Sequence, residues 1–164
     1  MPTQPRSSRG GSGGRPADIV TLLDGHTDQA MDIALSSNSS TAALELREIQ
    51  RYADGSGFVT LLVVRSGGFA AALPFYFELP RLMEFVEALQ GMDRTLSGSA
   101  TLKPTWEPGF VTFELDQHGH VRVFGELRET TEHEQWLQFS FNTDQTCLRQ
   151  FAADLEACQS LAAI

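Results

Sequence analysis

A strand pattern that runs directly into a helix pattern occurs twice in this chain, and it sets the strictest limit on the fold. Residues 74–90, PFYFELPRLMEFVEALQ, first alternate and then space their apolar side chains three and four apart. Residues 138–157, QFSFNTDQTCLRQFAADLEA, repeat that order. A period of two is typical of a strand, and a spacing of three and four is typical of a helix with one apolar stripe. Each helix should therefore lie on one face of a sheet.

The rest of the chain is dominated by strand patterns. Residues 43–49 favour a helix by composition, but Leu44 and Leu46 alternate and we interpret the segment as a strand. The other predicted strands are 18–23, 31–37, 58–65, 69–77, 96–103, 110–116, 120–128 and 135–142. Short links such as SGG at 66–68 predict antiparallel hairpins. We therefore expect an α+β fold, a single antiparallel β-sheet of about seven to nine strands with two amphipathic helices packed on one face.

The two helices are predicted near 79–91 and 144–158. The apolar stripes consist of Leu82, Phe85, Val86 and Leu89 in the first helix, and Leu148, Phe151, Ala152 and Leu155 in the second. Pro80 suits a first turn and Gly91 suits a helix end. Asp144 or Thr143 is expected to cap the second helix, because both side chains can accept hydrogen bonds from free backbone amides.

The charge is unevenly distributed along the chain. Residues 1–17 are rich in Gly, Ser, Pro and Arg, which predicts a disordered tail before a single α+β domain at 18–164. The 12 Lys and Arg include three tail arginines, so residues 18–164 carry nine basic against 21 acidic side chains, a formal charge of −12. Such a domain suits a basic protein partner and disfavours nucleic acid or an anionic membrane. Acidity for solubility alone is the alternative.

Targeting and cysteine usage both indicate a cytoplasmic protein. The N-terminal segment contains no apolar stretch of the kind found in secretory signals, and the apolar runs are shorter than a membrane helix needs. Cys147 and Cys158 are eleven residues apart in one predicted helix, about 16 Å along its axis. That distance is too long for a disulfide, so both thiols should be reduced.

The sequence offers few groups arranged for catalysis. Asp116, His118 and His120 alternate, but they flank Gly119 in a predicted turn where metal ligands would diverge. Glu114 and Glu126 could share a sheet face, which leaves a two-carboxylate hydrolase as an alternative function. No glycine-rich loop has the strand-to-helix setting of a phosphate site. We therefore predict no catalytic residue, no metal and no cofactor.

An aromatic group on the predicted outer face of the meander is more informative. Phe110, Phe124 and Trp136 fall on the face that should be polar. Aromatic side chains rimmed by acids are typical of a recognition surface. The predicted partner-binding residues are Trp136, Phe124, Glu126, Glu129, Glu132 and Glu134. The alternative is that the N-terminal strands fold over these rings and bury them.

Three segments carry a family resemblance: the GGF strand before the first helix, GHVRVFGEL at 119–127, and FSFNTDQ before the second helix. Through them, residues 42–158 resemble the WapI-type immunity proteins, small bacterial proteins encoded beside contact-dependent toxins. These residues are structural, so no functional residue is carried over. The resemblance implies a binding protein that neutralises a toxin. A structural or adaptor domain with another protein partner is the alternative.

Overall fold

The protein is built from two successive units, each a four-stranded antiparallel meander followed by a helix. A computed structural model describes residues 30–37 and 43–161. The first unit comprises β1 (Met31–Leu35), β2 (Ala43–Arg51), β3 (Gly57–Ser66), β4 (Phe69–Glu78) and α1 (Leu79–Thr95). The second comprises β5 (Gly98–Leu102), β6 (Gly109–Leu115), β7 (His120–Glu129), β8 (Gln135–Asp144) and α2 (Gln145–Ala157). A short 3-10 helix, Cys158–Ser160, follows α2.

The prediction of a single sheet is wrong. The strands form two separate four-stranded sheets, in the orders β1-β2-β3-β4 and β5-β6-β7-β8. Alternation identified the strands and their inner faces, but it carries no information on which strands pair. The chain leaves β4 through α1, so β5 begins a second sheet and pairs with β6 rather than returning to the edge of the first.

Both sheets and both helices contribute to one continuous hydrophobic core. Phe113 on β6 lies at its centre and is completely buried. Its ring centroid is 5.5 Å from that of Phe85 on α1 and 5.6 Å from that of Phe151 on α2. The prediction that both helices cover one face of a sheet is therefore wrong. The helices instead meet around side chains that the second sheet supplies.

Each helix also contacts the first strand of a meander, α1 beside β5 and α2 beside β1. The two helices are joined by polar contacts: Arg149 Nε donates to Asp93 Oδ2 at 3.0 Å, and Gln145 Nε2 donates to Asp93 Oδ1 at 3.0 Å. These bonds hold the pKa of Asp93 below its ordinary value, chiefly through the Arg149 guanidinium. At the far end, Thr143 Oγ1 donates to the Ser36 carbonyl at 2.9 Å, which joins β8 to the end of β1.

The helix ends follow local chemistry. The Asp144 side chain accepts hydrogen bonds from the amides of Thr146 and Cys147, so Asp144, one of the two candidates, is the N-cap of α2. Pro80 occupies the first turn of α1 as predicted. The helix does not stop at Gly91 but continues to Thr95, and it ends where Leu96 takes a left-handed conformation with φ 56°. Tertiary contacts of the last turn, including buried Met92, therefore outweigh the low helix propensity of Gly91.

Ala43 begins a strand, which confirms the interpretation of 43–49, and the strand extends to Arg51. The predicted tail at 1–17 and the predicted strand at 18–23 lie outside the described residues. Among those described, neither helix is long and apolar enough to cross a membrane.

Candidate functional site

The outer face of the β5–β8 sheet carries the predicted aromatic residues. Inner-facing side chains such as Val121, Val123 and Leu127 are buried, and the alternate positions of the same strands point away from the core. Trp136 on β8 is 55% exposed. Within the described residues, no strand of the first sheet covers it, so in this part of the chain the ring is open to a partner.

Phe110 and Phe124 form the second half of this aromatic group. Both are half-buried, and their ring centroids are 6.3 Å apart in an edge-to-face arrangement. On the inner side of the same strands there is no room for a side chain at Gly125, because an added Cβ would lie 2.2 Å from the Phe110 carbonyl oxygen. Strands β6 and β7 thus approach closely under the two rings. We define the Trp136 surface as these three aromatic residues together with the acids Glu126, Glu129, Glu132 and Glu134.

Two arginines that the sequence did not assign to the site lie among these rings. The Arg128 guanidinium carbon is 4.4 Å from the Trp136 ring centroid, and that of Arg122 is 4.7 Å from the Phe124 centroid. Strand alternation places residues 122 and 128 on this face. The cation–π contact of Arg128 also requires the register that sets it opposite Trp136, and only the structure gives that register.

The acids fall into two groups. Glu126 is half-buried, and its Oε1 accepts a hydrogen bond from Arg128 Nε at 2.7 Å, so its charge is compensated within the sheet. Glu129 ends β7, and its pKa is lowered by hydrogen bonds from the Thr131 hydroxyl and amide. Glu132 and Glu134 are exposed on the loop that joins β7 to β8. Within the part of the chain that the structure describes, the uncompensated negative charge therefore lies at one end of the Trp136 surface, not evenly around it.

A groove adjoins Trp136 on the side of the first sheet. It lies between β4 and the ends of β7 and β8, and it is lined mainly by small and aliphatic side chains: Ala70, Ala71, Ala72, Leu73, Leu127, Glu129, Gln135, Trp136 and Leu137. β4 and β8 are edge strands of their sheets in the part of the chain that is described. The two sheets are also linked through Ser66 at the end of β3, whose hydroxyl donates to the Ser140 carbonyl of β8 at 3.3 Å.

The register separates the two carboxylates considered for hydrolysis. Glu114 lies opposite Arg122, whereas Glu126 lies opposite Phe110. The two glutamates are therefore offset by four residues along adjacent strands, about 13 Å at a strand rise of about 3.3 Å per residue. Two-carboxylate hydrolases need their carboxylates about 5 to 9.5 Å apart. This pair is not placed for that reaction.

The Asp116–His120 turn is held by its own backbone. Asp116 Oδ1 accepts hydrogen bonds from the His118 amide at 2.8 Å and the His120 amide at 3.0 Å. These bonds, that from His120 foremost, lower the pKa of Asp116. Within residues 30–37 and 43–161, no three His, Cys, Asp or Glu side chains converge as a metal site requires. The carboxylate therefore has a structural role in closing the turn.

Comparison with known proteins identifies a family. No curated protein matches the sequence. A solved structure described as "Crystal structures of trypanosoma bruciei MRP1/MRP2" is similar, with a TM-score of 0.43 and 12% sequence identity, over 79% of this chain and 84% of that chain. The family model described as "Immunity protein WapI-like family" matches residues 33–160, which is more than half of the chain. This match confirms the resemblance found in the sequence: the chain belongs to the WapI-like immunity protein family.

Proposed function

We propose that this protein neutralises a toxin domain by direct binding through the Trp136 surface, without catalysis and without a cofactor. The observation that carries the proposal is the 55% exposure of Trp136 on a sheet face of an immunity-family protein. A tryptophan so exposed, on the same sheet face as the half-buried Phe124 ring, offers the kind of apolar anchor that dominates protein interfaces. Membership of the family supports a toxin as the partner.

The charge of the chain supports a basic toxin. Residues 18–164 carry 21 acidic against nine basic side chains. The exposed Glu132 and Glu134 would meet the partner at the rim, where charges mainly accelerate encounter. Glu126 would contribute less to this steering, because Arg128 already compensates it. Neither a nucleic acid nor a membrane fits this charge, since both reward clustered basic residues.

We place this activity in the cytoplasm. Cys147 and Cys158 are both free thiols, which fits a reducing compartment. A toxin that enters the cell would meet its neutralising partner there.

The test is binding to the C-terminal domain encoded by the neighbouring gene, where the proposal places the toxin. The two proteins are purified separately, and association and dissociation rates are measured with one partner immobilised. Trp136→Ala should speed dissociation and weaken binding by about 2 kcal/mol or more, which is about thirtyfold in Kd. The matched control is Met83→Ala, which removes a side chain of 51% exposure from α1, away from the Trp136 surface. It should leave both rates unchanged.

Charge reversal separates the rim from the anchor. The double variant Glu132→Lys, Glu134→Lys should slow association and flatten its dependence on salt, with little effect on dissociation. Tight binding that Trp136→Ala leaves intact would contradict the proposed surface. Absence of any binding to the neighbouring toxin domain would contradict the proposed function and favour an adaptor role.

A further inference from the structure

A second aromatic group lies on the opposite sheet, where the β5–β6 loop crosses to the first unit. The Thr105 amide donates to the Tyr76 carbonyl at 2.7 Å, at the open edge of β4. This bond places Trp106 beside Tyr76, with ring centroids 5.9 Å apart and ring planes at 52°. Trp106 is nevertheless 71% exposed. An electron-rich ring face is therefore held in place by the fold and left open.

Two oxygen atoms near these rings are buried without a partner. Tyr52 Oη and Glu107 Oε2 form no hydrogen bond with any described residue. Burial raises the pKa of Tyr52, and the nearby Tyr76, Glu107 and Asp54 raise it further. The same neighbourhood thus contains two tyrosines and two acids. A buried carboxylate oxygen without a donor is costly, and a bound group that supplies N–H donors would remove that cost.

The basic residues of this region do not compensate Glu107. Arg51 Nη1 donates to the carbonyls of Gln159 and Leu161, at 3.3 and 3.4 Å, next to the end of α2. Lys103, at the start of the same loop, is exposed. Among the described residues, neither Lys103 nor Glu107 takes part in an ion pair. Within the described residues, the group formed by Tyr52, Tyr76, Trp106 and Glu107 therefore combines negative charge with open ring faces, and Glu107 has no cation beside it.

We propose that Tyr52, Tyr76, Trp106 and Glu107 form a binding site for the guanidinium group of an arginine on a protein partner. The faces of Trp106 and Tyr76 bind the planar cation, and Glu107 and the Tyr52 hydroxyl accept its N–H groups. Arginine fits better than lysine, because its delocalised fork can stack on a ring and donate to two separate oxygens at once. That the arginine belongs to a protein rests on the proposed function.

The chain has two tryptophans, which permits a direct assay. In the Trp136→Phe variant, Trp106 is the only source of tryptophan fluorescence. This variant is titrated with N-acetyl-arginine amide and, in parallel, with N-acetyl-citrulline amide, which has nearly the same shape and no charge. Arginine should give a saturable change with a Kd in the millimolar range, and citrulline should bind at least about tenfold more weakly.

Two further variants in the Trp136→Phe background assign the oxygens. Glu107→Gln should weaken arginine binding about tenfold, and Tyr52→Phe about threefold. Glu114→Gln, which alters an exposed acid on the other sheet, should leave the affinity unchanged. Circular dichroism establishes that each variant is folded. If Glu107→Gln does not fold, Tyr52→Phe alone decides.

The proposal is overturned if arginine and citrulline give equal responses, if the response does not saturate, or if neither Glu107→Gln nor Tyr52→Phe weakens binding. The assay needs no toxin. If arginine does not bind, the proposal that Trp136 binds a toxin is therefore unaffected. If no toxin complex forms, saturable arginine binding is still evidence for an arginine site.

Discussion

Replacing Phe113 by leucine tests whether the two units share one core. Phe113 is completely buried on β6, and its ring contacts Phe85 of α1 and Phe151 of α2. Leucine keeps a branched apolar side chain at this position but removes both ring contacts. Aromatic pairs are worth about 0.5 to 1.5 kcal/mol each beyond their buried area. Two lost pairs therefore predict a decrease of about 1 to 3 kcal/mol in the free energy of unfolding.

The measurement is equilibrium unfolding in urea, followed in parallel by circular dichroism and by tryptophan fluorescence. Both signals should give one coincident transition, with a lower midpoint and an unchanged slope. Phe69→Leu is the matched control, because Phe69 is 73% exposed and has no ring contact with another described residue. It should change stability by less than about 0.5 kcal/mol.

A double-mutant cycle locates the coupling. Phe113→Leu combined with Phe85→Leu, the ring pair that joins the second unit to α1 of the first, should cost less than the sum of the two single changes by about 0.5 to 1.5 kcal/mol, since the edge-to-face pair can be lost only once. Two separate transitions, or additive costs, would refute the shared core. An equal effect of Phe113→Leu and Phe69→Leu would refute the burial argument itself.

Three further predictions concern single side chains. At about pH 8, half-buried Cys147 should react with a thiol reagent in the folded protein, whereas Cys158 should react only after denaturation, because burial raises its pKa to about 12. Mass spectrometry of the labelled peptides distinguishes the two cysteines. Labelling of Cys158 in the folded protein would contradict its burial. The Arg149 guanidinium lowers the pKa of Asp93, so the stabilising effect of this carboxylate is present above its unfolded pKa of about 4 and is lost as pH falls through its folded pKa. Asp93→Asn should therefore make the free energy of unfolding depend less steeply on pH on the acid side. An unchanged slope would show that the contact with Arg149 does not stabilise the fold. Gly125→Ala should lower the free energy of unfolding, measured in urea, by about 1 to 3 kcal/mol, because the added Cβ would lie 2.2 Å from a backbone oxygen. An unchanged free energy of unfolding would show that β6 and β7 can move apart to accept the methyl group.

The candidate site could be predicted in part. Alternation was enough to place Phe110, Phe124 and Trp136 on one outer face, because side chains two residues apart point to the same side of any strand. The charge compensation of Glu126 by Arg128 and the stacking of Arg128 on Trp136 depend on geometry between side chains and on strand register. Sequence spacing does not specify either. The distance that separates Glu114 from Glu126 is a consequence of the same register.

Trp106 shows a second limit. In the sequence it is one residue of a loop between two strands, without any periodic pattern. Its position beside Tyr76 and near the unpaired Glu107 oxygen depends on a loop of the second unit that bonds to an edge strand of the first. Contacts between segments so far apart in the chain leave no local signal.

The features that could be read from the amino-acid order alone are local: the strands, both helix stripes, a cap for the second helix at Thr143 or Asp144, and the side chains that face inward. They follow from backbone periodicity and from the nearest backbone amides, which act within a few residues. The division of eight strands into two sheets and the meeting of Phe85 and Phe151 at Phe113 required the folded arrangement. An apolar strand face is satisfied by any apolar surface, so its partner is selected by how the whole core packs.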